Sequence, residues 1–240
     1  MKTAIYAALV LSIFQFYAQA QNKDSAHLMA DITGGERISL PDSFVFGKSL
    51  DLTFSSGTKA NLTSLQYKFR YPESEEYVAM TISGLAEGST QKNPEIVLDF
   101  ETERIINFMC FSHTKMALIH TLTDSKRDIR ISKTDFSGLR RTDKSKLILG
   151  YPCKAYRFEN NSSKGIIWIA SEMDAGLENL FSELGLSIAI DETHTGYILL
   201  METQKTDTGE LINIAVNQMN INDVYAIDSQ NYVATAVPSN

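Results

Sequence analysis

Residues 146 to 170, KLILGYPCKAYRFENNSSKGIIWIA, hold the strongest hairpin signal in the chain. Two apolar, β-rich runs flank a polar loop. The first carries Gly150-Tyr151-Pro152-Cys153 and Tyr156, and the second carries Ile166 to Ala170 with the only tryptophan, Trp168. Glu159 to Lys164 and then Gly165 lie between them. β-Branched and aromatic residues on both sides of such a loop favour extended, paired backbone.

Outward from this hairpin the same grammar repeats. Ser64 to Tyr71 alternates, with Leu65, Tyr67, Phe69 and Tyr71 on one face and Gln66, Lys68 and Arg70 on the other. That is a strand with one buried and one wet face. Tyr77 to Ser83 is expected to return beside it, after Pro72 and a charged turn. Phe44, Phe46, Leu50, Leu52 and Phe54 share parity, with Gly47 at a bulge or bend. Glu95 to Phe100 and Arg104 to Phe111 read as a further hairpin, and Lys115 to Thr121 as another strand. Gly196 to Gln204 and Glu210 to Met219 read as a last hairpin around Thr206 to Gly209. Asp124 to Lys144 is the most polar segment and reads as a long loop with a helical turn at most. One persuasive helix spans Ala175 to Leu184, where Leu177, Leu180, Phe181 and Leu184 form a stripe at i, i+3, i+4 and i+7. Asp174 is placed to cap it and Gly185 to stop it.

Strands follow one another through short turns, without βαβ alternation. The expected fold is mostly β: a curved antiparallel sheet, an incomplete barrel, with one or two helices packed on its concave face. Residues 1–20 read as a signal peptide, with Lys2 before an apolar run and Ala18-Gln19-Ala20 as the cleavage site. Gln21 follows that site, where a lipid-anchored protein would carry cysteine. Residues 21–41 read as a flexible lead-in, 42–228 as a single β-rich domain and 229–240 as a tail. The expected location is therefore periplasmic or secreted, without a transmembrane span.

The formal net charge of −7, with no basic stripe, argues against nucleic acid as a partner. Cys110 and Cys153 are either a disulfide allowed by an exported compartment or two small buried hydrophobes. His27, His113, His120 and His194 show no zinc-like spacing, so no metal or cofactor is expected. No G-x-S-x-G turn and no phosphate loop occurs, and Gly34-Gly35 lacks the strand and helix a phosphate site needs. Carboxylates such as Glu101 and Glu103 fall in hairpin turns and read as solvated charge.

Aromatic and methionine side chains recur on the strands. Phe100, Phe108, Met116, Trp168, Leu177, Phe181 and Met201 are the candidates for an apolar ligand pocket, against the alternative of an ordinary core.

Gly150-Tyr151-Pro152-Cys153-Lys154-Ala155-Tyr156, followed by Trp168-Ile169-Ala170, resembles a family of secreted bacterial proteins known only as a domain of unknown function. Its members share a G-Y-x-C-x-x-Y hairpin and a following tryptophan strand. The pattern is also similar to the lipoprotein-carrier superfamily of the LolA, LolB and LppX type, best over residues 94–204. That resemblance implies an incomplete barrel with helices at its mouth and no catalytic residues. It gives Gly150, Tyr151, Cys153, Tyr156 and Trp168 structural roles. The long polar insert at Asp124 to Lys144 and the single good helix depart from the carriers. Three functions stay open on the sequence: a non-enzymatic envelope protein binding a lipid or other apolar ligand, an envelope scaffold with no small ligand, and a hydrolase built from tertiary neighbours.

Overall fold

The computed structural model describes residues 38–73, 76–83, 94–111, 114–122, 136, 138–174, 176–190 and 195–236. Residues 1–20, read as a signal peptide, and Gly34-Gly35, His27, His113 and His194 lie outside the described residues. The strands are β1 (Ser43–Phe46), β2 (Lys48–Gly57), β3 (Leu62–Tyr71), β4 (Tyr77–Ser83), β5 (Glu95–Asp99), β6 (Arg104–Phe111), β7 (Thr114–Thr121) and β8 (Arg140–Ile148). They continue with β9 (Tyr151–Glu159), β10 (Ser163–Ala170), β11 (Ser187–Ala189), β12 (Thr195–Lys205), β13 (Leu211–Asn220), β14 (Tyr225–Asp228) and β15 (Val233–Ala236). One helix, α1 (Glu178–Glu183), is described.

One 13-stranded sheet runs in the order β15-β7-β6-β5-β4-β3-β2-β13-β12-β10-β9-β8, with β11 added to β12. Among the described residues every strand pairing in it is antiparallel except β15 on β7. The sheet is open, curved and not closed into a barrel. The expected fold class is therefore what the chain adopts. β15 falls in the stretch expected as a tail, and its register with Met116 to Ile119 makes it an edge of the sheet.

Both faces of the middle strands are covered. Val78, Met80, Ile82, Ile96, Leu98 and Ile105 enter a large buried cluster with Leu50, Leu52, Ile167, Met201 and α1. Their neighbours Ala79, Val97, Ile106, Phe108, Ala117 and Ile119 enter a second cluster with Phe44, Phe46 and Ile227. The second cluster is roofed by a separate two-stranded sheet, β1 paired with β14. This corrects the single face expected for Phe44 to Phe54. The chain bends at Gly47, whose N–H donates to the Tyr71 carbonyl at 3.0 Å, and so Phe44 and Phe46 serve one core while Leu50 and Leu52 serve the other.

The opening stretch divides differently from its reading as two runs. Ile148 pairs with Tyr151, and Leu149 and Gly150 between them have φ of 52° and 87°. Two positive φ values make a type I′ turn, whose twist suits a two-residue hairpin. Lys146 to Ile148 therefore closes β8, and β9 begins at Tyr151. Arg140 to Lys144, expected in a loop, is edge strand, because charged residues suit a strand exposed on both faces. A Cβ on Gly150 meets nothing within 4 Å, so replacing it tests backbone strain alone. Gly150→Ala is expected to lower unfolding free energy by about 1 kcal/mol, whereas Leu149→Asn raises it by roughly 0.5 kcal/mol. Urea titration of both variants checks the opposite signs.

The helix is shorter than its apolar stripe. Gly176 has φ of 92°, which interrupts helical backbone, and Leu177 is an N-cap with no side-chain bond. Asp174 thus does not cap by its carboxylate; its carbonyl accepts the Leu177 N–H at 3.1 Å. Gly185 does stop the helix. At φ of 68° it donates to the Ser182 carbonyl, while the Leu186 N–H reaches Phe181, the paired bonds of a Schellman ending.

Candidate functional site

The site begins with the β9–β10 hairpin. Tyr156 pairs with Ile167, and Ile169 pairs with Lys154, so these four side chains share one face. β12 runs beside β10, and a bulge between Trp168 and Ile169 locally re-aims the strand. Gly196 of β12 lies against Ile169 and Ile190: a Cβ there would stand 2.3 Å and 2.5 Å from their side chains. That absent side chain lets Ile169 and Ile190 settle over β12. β11 pairs Ile188 with Gly196 and continues the same wall.

Between this wall and the segment before β8 lies an open cleft of ≈ 500 Å³. Phe136, Gly138, Leu139, Tyr156, Ile169 and Ile188 line it, with Ala189 and Ile190. Its floor is anchored where Phe136 meets Phe158 edge-on, with ring centroids 5.3 Å apart. Among the described residues no carboxylate, histidine or cysteine lines it, and the Tyr156 hydroxyl is the one polar side-chain group they bring to it. Such a surface can hold apolar matter, and its described residues supply no nucleophile–base pair. Among the described residues no three His, Cys, Asp or Glu side chains gather as metal ligands. No described helix is long and apolar enough to cross a membrane.

The seven residues expected to line a pocket are not brought together. Leu177, Phe181 and Met201 are buried in the large cluster, with Phe100 and Trp168 packed half-buried against it. Phe181 meets Tyr197 edge-on at 5.8 Å, filling the space under α1. Phe108 belongs to the second cluster, edge-on to Tyr232 at 4.9 Å, and Met116 is buried on β7. None of the seven lines the cleft.

The motif residues have distinct places. Gly150 makes the turn, and Tyr151 opens β9 beside Asp174. Burial pushes the Tyr151 hydroxyl up, and its hydrogen bond to Asp174 adds to this. Cys153 is buried, and burial likewise raises its thiol. Lys146 Nζ stacks 4.1 Å over the Trp168 ring. Tyr156, expected in the wall, also faces the cleft. Cys110 is exposed on β6 and Cys153 buried on β9, both free, so the bridge considered from sequence is not formed. Seven strands stand between β6 and β9 in the sheet, far beyond the 4.4–6.8 Å Cα separation a disulfide requires.

Sequence reasoning missed Gly138, Leu139, Ile188, Ala189 and Ile190. They sit in short or weakly patterned segments, where periodicity carries little signal. It also missed a charge asymmetry. Residues 140–164 hold seven basic and two acidic side chains in a chain whose total is −7. That basic stretch forms β8, β9 and the start of β10.

A second polar site lies on the face roofed by β14. Lys68 Nζ is 3.2 Å from Asp223 and 3.7 Å from Asp51, while Arg70 stacks 4.0 Å over the Tyr225 ring. The Tyr225 hydroxyl donates to Glu95. Ser49, donating a hydrogen bond, is the main cause that holds the Asp223 carboxyl below its ordinary value, with Lys68 and Arg70 adding to this. Burial pushes Tyr225 up to about 12, and burial does the same to Tyr67. Raised tyrosine values stabilise the fold fully below the unfolded value and lose that contribution as pH rises through the folded one. Stability is expected to fall between about pH 10 and pH 12. Tyr67→Phe with Tyr225→Phe flattens that slope, as read by denaturant unfolding against pH.

No family model and no curated protein matches this chain. Among solved structures it is similar to PNGF-II at 10% identity and a TM-score of 0.33, covering 80% of this chain and 31% of that one. It is also similar to a DUF1329 family protein from Desulfovibrio piger, at 10% identity and a TM-score of 0.31, over 78% of this chain and 88% of that one. A putative outer membrane lipoprotein-sorting protein domain from Vibrio parahaemolyticus aligns at 8% identity and a TM-score of 0.26, over 72% and 85%. The chain spans about a third of the length of PNGF-II.

Proposed function

We propose that this protein is an exported, non-enzymatic envelope protein that binds a lipid or other apolar ligand, and that the ligand seats in the cleft between β9–β10, β11 and Phe136 to Leu139. The cleft itself carries the reading. Its volume of ≈ 500 Å³ falls within the range of small-molecule sites, and its described lining residues are apolar but for the Tyr156 hydroxyl. The amino-terminal signal-peptide pattern supports export.

The scaffold reading has one observation of its own. Among the described residues β8 is an edge strand, paired on one side only, with Leu147 73% exposed. Charges along β8 and its register shift between Arg141 and Ser145 blunt that edge against strand addition, which favours the ligand reading.

Ala189 is exposed at the rim of the cleft, so a large side chain there fills space without displacing core. Ala189→Trp is expected to lower affinity for a dodecyl-chain ligand at least about tenfold and to leave the unfolding midpoint within the range of surface changes. Calorimetric titration with dodecyl maltoside, beside thermal unfolding, checks both. Unchanged affinity in a folded variant would count against the cleft as the seat.

A further inference from the structure

Resting on the reading above, we infer that the ligand is an amphiphile with an anionic head, and that Arg141 and Lys154 hold that head at the cleft rim. Two registers place them. Arg141 stands directly opposite Tyr156, and Lys154 directly opposite Ile169. Tyr156 and Ile169 both line the cleft. Directly opposed residues of antiparallel strands share a face, with Cβ atoms about 5 Å apart. Lys154 and Tyr156 are also two residues apart on β9, so the two cations flank the Tyr156 hydroxyl from the same face.

Both cations are exposed, and neither has an ion-pair partner among the described residues. Elsewhere the described lysines and arginines that pair do so with near carboxylates, as Lys68 does with Asp51 and Asp223, and Lys205 with Glu210. Positive charge is therefore available at this rim in a chain that is acidic overall. Arg140 and Arg157 oppose each other on the other face of the hairpin and do not contribute to the rim. An apolar slot beside two cations that have no ion-pair partner among the described residues fits a molecule with a hydrocarbon body and a phosphate or carboxylate end. A neutral lipid would leave the cations unused, and a free anion would leave the slot unused.

The experiment titrates the full chain with monomeric dodecyl phosphate, dodecyl maltoside and inorganic phosphate. At low salt dodecyl phosphate is expected to bind at least about tenfold tighter than the maltoside, the size of one charge-assisted hydrogen bond. High salt should narrow the gap. Arg141→Gln with Lys154→Gln should remove the preference while leaving maltoside affinity and the unfolding midpoint unchanged. Equal binding of the two dodecyl compounds, or a preference that survives the double variant, would overturn the inference and leave the apolar cleft standing. Inorganic phosphate binding as tightly as dodecyl phosphate would overturn it in favour of a free-anion site. Binding of neither dodecyl compound would overturn the proposed function itself.

Discussion

Phe181→Ala should cost roughly 3–5 kcal/mol of unfolding free energy, the range for an aromatic removed from a sealed core. Phe181 has no exposed surface and points from α1 into the large cluster with Leu177, Leu180, Leu184 and Leu186. Its ring meets Tyr197 edge-on, and its carbonyl accepts the Leu186 N–H at 2.7 Å in the helix ending. Truncation removes the ring contact and leaves a void that one short helix cannot close. The cost falls on stability and only indirectly on the cleft, since Phe181 is not among its lining residues. Urea unfolding of the purified variant measures it. A loss below about 1 kcal/mol would mean that α1 packs loosely on the sheet.

Gly165→Ala is expected to be nearly as severe, at about 3 kcal/mol. A Cβ there would stand 2.3 Å from the Glu202 carbonyl oxygen and 2.9 Å from the Thr203 Cα. Those are backbone atoms of the paired strand β12, so no rotamer change relieves the clash. β10 and β12 would have to separate where the hairpin begins. The contrast with Gly150 is informative: the two glycines lie in the same hairpin region, one needed for its φ and the other for its missing side chain. Thermal unfolding of Gly165→Ala beside Gly150→Ala checks the order, with the larger drop expected for Gly165.

Much of this architecture was legible before the structure. The alternation of Leu65 to Tyr71 does give β3, and the polar loop before Gly165 does join two paired strands. Asn160 explains the loop chemistry, since its Oδ1 accepts the N–H groups of Ser162 and Ser163 at 2.9 Å and 2.8 Å. What parity cannot give is which of two covered faces a residue serves. Phe44 and Leu50 share parity and still part company at Gly47. The pocket candidates failed to converge for that reason: large apolar side chains mark the filled interior, and the opening lies where small and short-segment residues leave it unfilled. Gly138, Ala189 and Gly196 shape the cleft by what they lack. The basic rim was hidden by the acidic total, because charge was counted over the chain and not strand by strand.

Native mass spectrometry of the purified protein, with and without a dodecyl-chain ligand, shows whether the open curved sheet carries a cleft for one apolar chain. A single bound ligand is expected on the unmodified protein and none on a folded Ala189→Trp variant under the same conditions. No ligand on either protein at micromolar concentrations, or equal occupancy of both, would contradict it.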